Sequence, residues 1–390
     1  MNPYDPTALI RTLNSRPEVF ICGPSRGNSK SSPKTHLRVY ANGGLLCNIP
    51  TEEEDLILPP SSGYLKYVPQ ESREKLQEEY HTVFTDGTND LPQEIPLENE
   101  RRAGFLMDET RLKLLLDAIE NKYEKKYKSL KSSEDKSSKE RRNQTVIARN
   151  HRDFQDHKKV FPVPGQSAPK EYFTVVCDFE MTIPGSWYQR GTSLPGFPGE
   201  TKRPKCDLVA FSCTQDVSDP WLISIIELKC NRRACQNEKS GLSAHARDMA
   251  VCRKETGDAP NQSDYILEIL RRLSCMLRYR LLENVPEGLE AEINRLLPKS
   301  WTNQEQMRQS REKVRSRGVS LRSCFLFTGD DDIRADDNRT DRSEDAVSLC
   351  QEAEYLKDHP EDYFYQFRKD PSDVDLSDME SWSSFSSSAT

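Results

Sequence analysis

The run Trp221-Leu222-Ile223-Ser224-Ile225-Ile226-Glu227-Leu228-Lys229-Cys230 is apolar at almost every position until its end, where an acid and a lysine stand two residues apart. It is short, rich in β-branched residues and bounded by Pro220 and Asn231, and so reads as a β-strand. Apolar residues on both alternating faces place it inside a sheet covered on both sides. Alternation then sets Glu227 and Lys229 on one face and turns Leu228 into a core. Charge is rare on such a strand, because desolvating it costs several kcal/mol unless the group is paired or bound to a metal.

A second strand lies just upstream, Pro204-Lys205-Cys206-Asp207-Leu208-Val209-Ala210-Phe211. If the two strands pair, the carboxylates of Asp207 and Glu227 and the ammonium of Lys229 gather at one sheet edge. Two acids suit Mg²⁺ or Mn²⁺, which prefer hard oxygen ligands and keep positions open for water and phosphate. Acid-x-Lys also occurs at Glu120–Lys122, Glu124–Lys126, Glu134–Lys136 and Asp156–Lys158, but all four sit in polar sequence. Only Glu227-Leu228-Lys229 closes an apolar run with an Asp-led strand before it. The simpler reading of Glu227 and Lys229 is a strand-end salt bridge.

Asp207 followed by Glu227-x-Lys229 on the next strand resembles the signature of the PD-(D/E)xK nuclease superfamily, the restriction-endonuclease-like fold. The proline usual before the first acid is replaced by Cys206, with Pro204 two residues earlier. The resemblance implies an α/β fold, a mixed sheet flanked by helices, in the order helix, three antiparallel strands, helix and strand. It also implies metal ligation by Asp207, Glu227 and the carbonyl of Leu228, with Lys229 helping to activate or position water. The implied activity is Mg²⁺- or Mn²⁺-dependent endonucleolytic hydrolysis of phosphodiesters, with DNA favoured over RNA as partner. A defence effector is one setting for it, and a catalytically inactive nuclease-fold binding or scaffold protein is the alternative.

The rest of the chain divides accordingly. Residues 1–104 read as an N-terminal accessory region, 105–330 as the nuclease-like domain and 331–390 as an acidic, Ser-rich, partly disordered tail. Leu112, Leu115, Leu116, Ile119, Tyr123 and Tyr127 recur at helical spacing from an Asp108 cap. Glu109 and Glu120 on that helix, or Asp178 and Glu180 on the strand at 171–183, are candidates to join the site. Basic residues Arg232, Arg233 and Lys239 follow Lys229 and suit contact with a nucleic-acid backbone. His245 stands at a helix start, where polar surface is the simpler reading and a place in the site the sharper one. A helix is expected over 265–282 and a final strand over 320–328, separated by a long excursion at 283–319. Another helix is expected near Ser343–Lys357.

Net charge is −7, yet residues 330–390 hold 18 acidic and 6 basic side chains, leaving the first 329 residues mildly basic. The tail is then either inert and solvated or a mimic of nucleic acid that restrains activity. Gly23–Ser31 lacks the adjacent Gly-Lys of a phosphate-binding loop and reads as a polar loop. Eleven cysteines without a CxxC pair point to reduced core thiols rather than a zinc ribbon. No apolar run reaches membrane-span length, so the expectation is an intracellular protein, cytoplasmic or nuclear, with no membrane partner. Self-association is left open.

Overall fold

A computed structural model describes residues 6–16, 19–26, 35–41, 44–50, 57–58, 105–106, 136–161, 169–183, 205–230, 235, 241–256, 260–328, 356, 362–368 and 370–381. The chain forms two compact units, Met1–Thr145 and Val146–Thr390. That division falls later than the boundary expected at residue 104. The helix expected over 108–127 and, except for Leu356, the one near 343–357 lie outside the described residues; of the polar loop expected at Gly23–Ser31, Gly23–Arg26 instead belong to a strand and 27–31 lie outside the described residues.

In the first unit, helix α1 (Pro6–Asn14) buries Ile10 and Leu13. Three antiparallel strands follow in the order β1 (Val19–Arg26), β2 (Thr35–Ala41), β3 (Gly44–Pro50). Their core is Val19, Phe20, Ile21, Leu37, Val39 and Ile49, all fully buried. A small antiparallel pair joins β4 (Ile57–Leu58) to β5 (Phe105–Leu106). Helix α2 (Lys136–Asn150) spans the division between the units.

The second unit is built on a seven-stranded mixed sheet. Strands β6 (Lys158–Phe161), β7 (Lys170–Thr182), β8 (Lys205–Cys213) and β9 (Leu222–Lys229) run as an antiparallel meander. The chain then crosses over through helices α3 (Leu242–Arg253), α4 (Asn261–Arg278), α5 (Leu289–Leu296) and α6 (Gln304–Arg317). It returns as β10 (Ser320–Thr328), parallel to β9, as a helical crossover permits. β9 is the middle strand, and every residue in it except Leu222 is buried, as its unbroken apolar run requires. The excursion at 283–319 is thus helical, α5 and α6, and both pack on α4. α4 buries Ile266, Ile269, Leu270, Leu273 and Met276 and also packs on β7. α6 starts on the Asn303 side chain, which accepts from Gln306 N, and stops at Gly318 with φ 73°.

Two expectations are corrected here. β10 is not the final strand, and residues 362–381 are not a solvated tail. β11 (Tyr363–Arg368) adds to β10 in parallel, and β12 (Glu380–Ser381) pairs antiparallel with β11. Tyr363-Phe364-Tyr365-Gln366-Phe367 is an aromatic strand, and Phe367 stacks on Phe327 with ring centroids 4.4 Å apart. Leu376 and Met379 are buried behind it. The neighbouring acids act locally: Asp370 and Asp375 cap turns at Ser372 and Ser377, while Asp378 pairs with Lys159 and Arg368. Nine described cysteines are free thiols, eight of them buried. Among the described residues no helix is long and apolar enough to cross a membrane.

Candidate active site

β9 carries Glu227 and Lys229 to its end on one face, and the ammonium of Lys229 lies 2.8 Å from Glu227 Oε1. Both side chains are 4% exposed, so each charge has lost most of its water and depends on its neighbours. The same oxygen meets a second nitrogen: His245 Nε2, from the first turn of α3, is 3.0 Å away. On the other side of that ring, Nδ1 is 3.9 Å from Asp248 Oδ2, one helical turn on.

Asp207 comes from β8. The β8–β9 register runs as far as Leu208 opposite Ile226, and Asp207 is the next residue of β8 beyond that ladder. Its Oδ2 accepts from the main-chain N–H of Leu228 at 2.7 Å, which ties the acid to the strand that bears the other two groups. Asp207 is partly exposed, unlike Glu227, and the Leu228 side chain is fully buried. Beside it, Cys206 is buried and accepts from the Tyr265 hydroxyl at 3.6 Å. Burial pushes the Cys206 thiol well up, so it stays protonated and is no nucleophile.

The other expected residues are distributed differently. Asp178 is fully buried on β7 and ion-paired with Arg272 of α4, with its Oδ1 accepting from Phe179 N at 2.8 Å. It holds α4 to the sheet. The backbone of Glu180 lies in β7 between the pairs Phe179–Leu208 and Met181–Cys206, in line with Asp207. Glu109, Glu120, Arg232, Arg233 and Lys239 lie outside the described residues. His245 is half-buried against Glu227 rather than plain polar surface. No spacing rule links positions 227 and 245, because the turn of chain between β9 and α3 decides where the ring arrives.

A second cluster, which sequence reading missed, brings His151, His157 and Asp375 within 4.8 Å of one another. Its hydrogen bonds argue against a metal. His151 Nδ1 is 2.8 Å from the Ile147 carbonyl and so carries the proton, while Nε2 accepts from Leu376 N at 3.0 Å. Both ring nitrogens are therefore engaged. Burial, helped by the neighbouring His157, lowers the His151 pKa to about 3. His157 stacks on it at 3.7 Å and places Nε2 2.8 Å from the Asn150 carbonyl and Nδ1 3.4 Å from Asp375. Burial opposes protonation of His157, but Asp375 and the Asn150 carbonyl outweigh it and raise the pKa. Burial also opposes ionisation of Asp375, yet His157 and Ser377 hold its pKa down to about 2. The cluster is a clasp that fastens the segment after β11 to the end of α2.

Comparison with known protein families, with curated proteins and with solved structures gave no match to this chain.

Proposed function

We propose that this chain is a metal-dependent nuclease of the PD-(D/E)xK type, hydrolysing phosphodiester bonds, with DNA favoured over RNA. The observation that carries the reading is the buried Glu227–Lys229 pair at the end of the middle strand, with Asp207 fastened beside it through Leu228 N–H. The order of elements supports it as well. A helix, an antiparallel meander of β7, β8 and β9, a helical crossover and a parallel β10 follow the order of the restriction-endonuclease-like core. The acids fall on the second and third strands of that meander, where the signature would have them.

The donor set fits a hard divalent cation: two carboxylates on adjacent strands, with the Leu228 carbonyl as a third oxygen. Asp207, Glu227 and that carbonyl would hold Mg²⁺ or Mn²⁺, which supplies charge neutralisation at the phosphate and a more acidic water. Lys229 stands ready to orient the attacking water or to meet negative charge developing on phosphorus. Glu227 holds the Lys229 side chain in place, and burial of the pair excludes competing solvent. Attack by water yields one phosphomonoester and one free hydroxyl, the leaving oxygen taking up a proton.

The test is incubation of the full chain with plasmid, linear duplex, single-stranded DNA and RNA, with Mg²⁺ or Mn²⁺ and with chelator. Cleavage that needs metal and disappears in Asp207→Ala and Glu227→Ala is the expected result. Tight nucleic-acid binding with no cleavage under any metal would instead favour the inactive binding-module alternative.

A further inference from the structure

We propose that β11, through the Tyr363 hydroxyl, positions α3 and with it His245 against Glu227, making Tyr363 a positioning residue of the candidate active site; this rests on the nuclease reading above. The first observation is that α3 is tied to both neighbours of β10. On the β9 side, Glu227 Oε1 lies 3.0 Å from His245 Nε2. On the β11 side, the Tyr363 hydroxyl donates to the Ala246 carbonyl at 2.8 Å. His245 and Ala246 are consecutive, so the two ties meet at one turn of the helix. β10, which lies between those strands, also packs against α3. Tyr363 and Ala246 are fully buried, so water does not compete for their hydrogen bond.

The second observation is register. Tyr363 stands level with Ser323 of β10, and Ser323 with Ile225 of β9. Residues paired in a parallel ladder share a face, as do residues two apart on a strand. Tyr363 therefore points to the same side of the sheet as Ile225 and Glu227, the side on which α3 lies. The third is a grip at the far end of the helix. Arg253, in the last turn of α3, donates to the Asp362 carbonyl at 2.7 Å and to its carboxylate at 3.1 Å. Its guanidinium lies 4.7 Å from the centre of the Tyr363 ring. Ala246 and Arg253 are about two turns apart, so β11 fixes the direction of α3 as well as its height. Packing of the sheet alone needs only the Tyr363 ring, which stacks on Phe325 at 6.0 Å; the hydroxyl is what reaches α3. Residues 362 and 363, within the stretch whose composition suggests a restraining tail, thus support the site.

Tyr363→Phe keeps the ring and removes only the tie to Ala246. In steady-state cleavage of duplex DNA by the full chain with Mg²⁺, kcat should fall about tenfold, with KM changed less than about twofold. His245→Ala should lower kcat by a comparable factor. The double variant should fall little further than the slower single one, because both changes break one connection. Hydrogen exchange of the α3 amides should quicken in Tyr363→Phe while that of the β10 amides stays unchanged. Unchanged kcat, losses that simply multiply in the double variant, or α3 exchange unaffected by Tyr363→Phe overturns this inference and leaves the nuclease reading standing. Absence of any cleavage by the unmutated chain overturns both.

Discussion

Asp178–Arg272 and Glu227–Lys229 are both buried acid–base pairs on one sheet, but they are built for different ends. Asp178 meets the guanidinium of Arg272 from α4, and its other oxygen takes the Phe179 N–H. Arg272 meets a second acid, Glu268, at 3.2 Å on its own helix. Every group there faces a partner held by secondary structure. Around Glu227, two nitrogens crowd one carboxylate oxygen, and the neighbouring acid Asp207 is partly exposed. Buried charge by itself therefore does not mark a site. What separates the two is a concentration of acids and bases at a strand end, where Asp207 is partly exposed.

That contrast gives a graded set of expectations. Glu227→Ala or Asp207→Ala should lower metal-dependent cleavage by about 10³-fold or more, roughly 4 kcal/mol of transition-state stabilisation. Asp178→Ala should act on the other axis, leaving Arg272 buried without its main partner. A loss of about 3–5 kcal/mol in denaturant unfolding is expected, with cleavage per folded molecule unchanged. If the effects were exchanged, so that Asp178→Ala removed activity at full stability, the comparison would be wrong. Lys229→Arg keeps the charge but replaces a compact ammonium with a planar fork, and should cost activity by about 10–100-fold in steady-state assays.

The last expectation concerns the clasp. His151 ordinarily titrates near 6.5 and is held at about 3 in the folded chain. As pH falls below 6.5, the unfolded chain takes up a proton that the folded chain refuses. Stability should then drop by up to about 1.4 kcal/mol per pH unit until about pH 3. His157 has the opposite sign: its contribution is complete below pH 6.5 and is lost as pH rises through its raised folded value. Asp375 contributes above its ordinary pKa and loses that contribution as pH falls toward about 2. Urea midpoints between about pH 4 and 6 should show a flatter slope in His151→Gln than in the unmutated chain.

Periodicity made β7 to β10 and the Glu227–Lys229 pair readable from sequence, because strand alternation is local and β9 is buried on both faces. Contacts set by tertiary packing were not readable. Asp178 and Arg272 are 94 positions apart, and His151 reaches Leu376 across 225. β11 was hidden for another reason: averaging charge over residues 330–390 masked an aromatic strand whose flanking acids cap turns and pair with His157, Lys159, Arg253 and Arg368. Composition describes a segment's mean, whereas pairing depends on about five or six consecutive residues.

Anomalous diffraction from crystals of the full chain soaked in Mn²⁺ tests the central claim most directly. The account predicts one peak about 2.0–2.2 Å from carboxylate oxygens of both Asp207 and Glu227. A peak among His151, His157 and Asp375 instead, or no peak near Glu227 at saturating Mn²⁺, would contradict it.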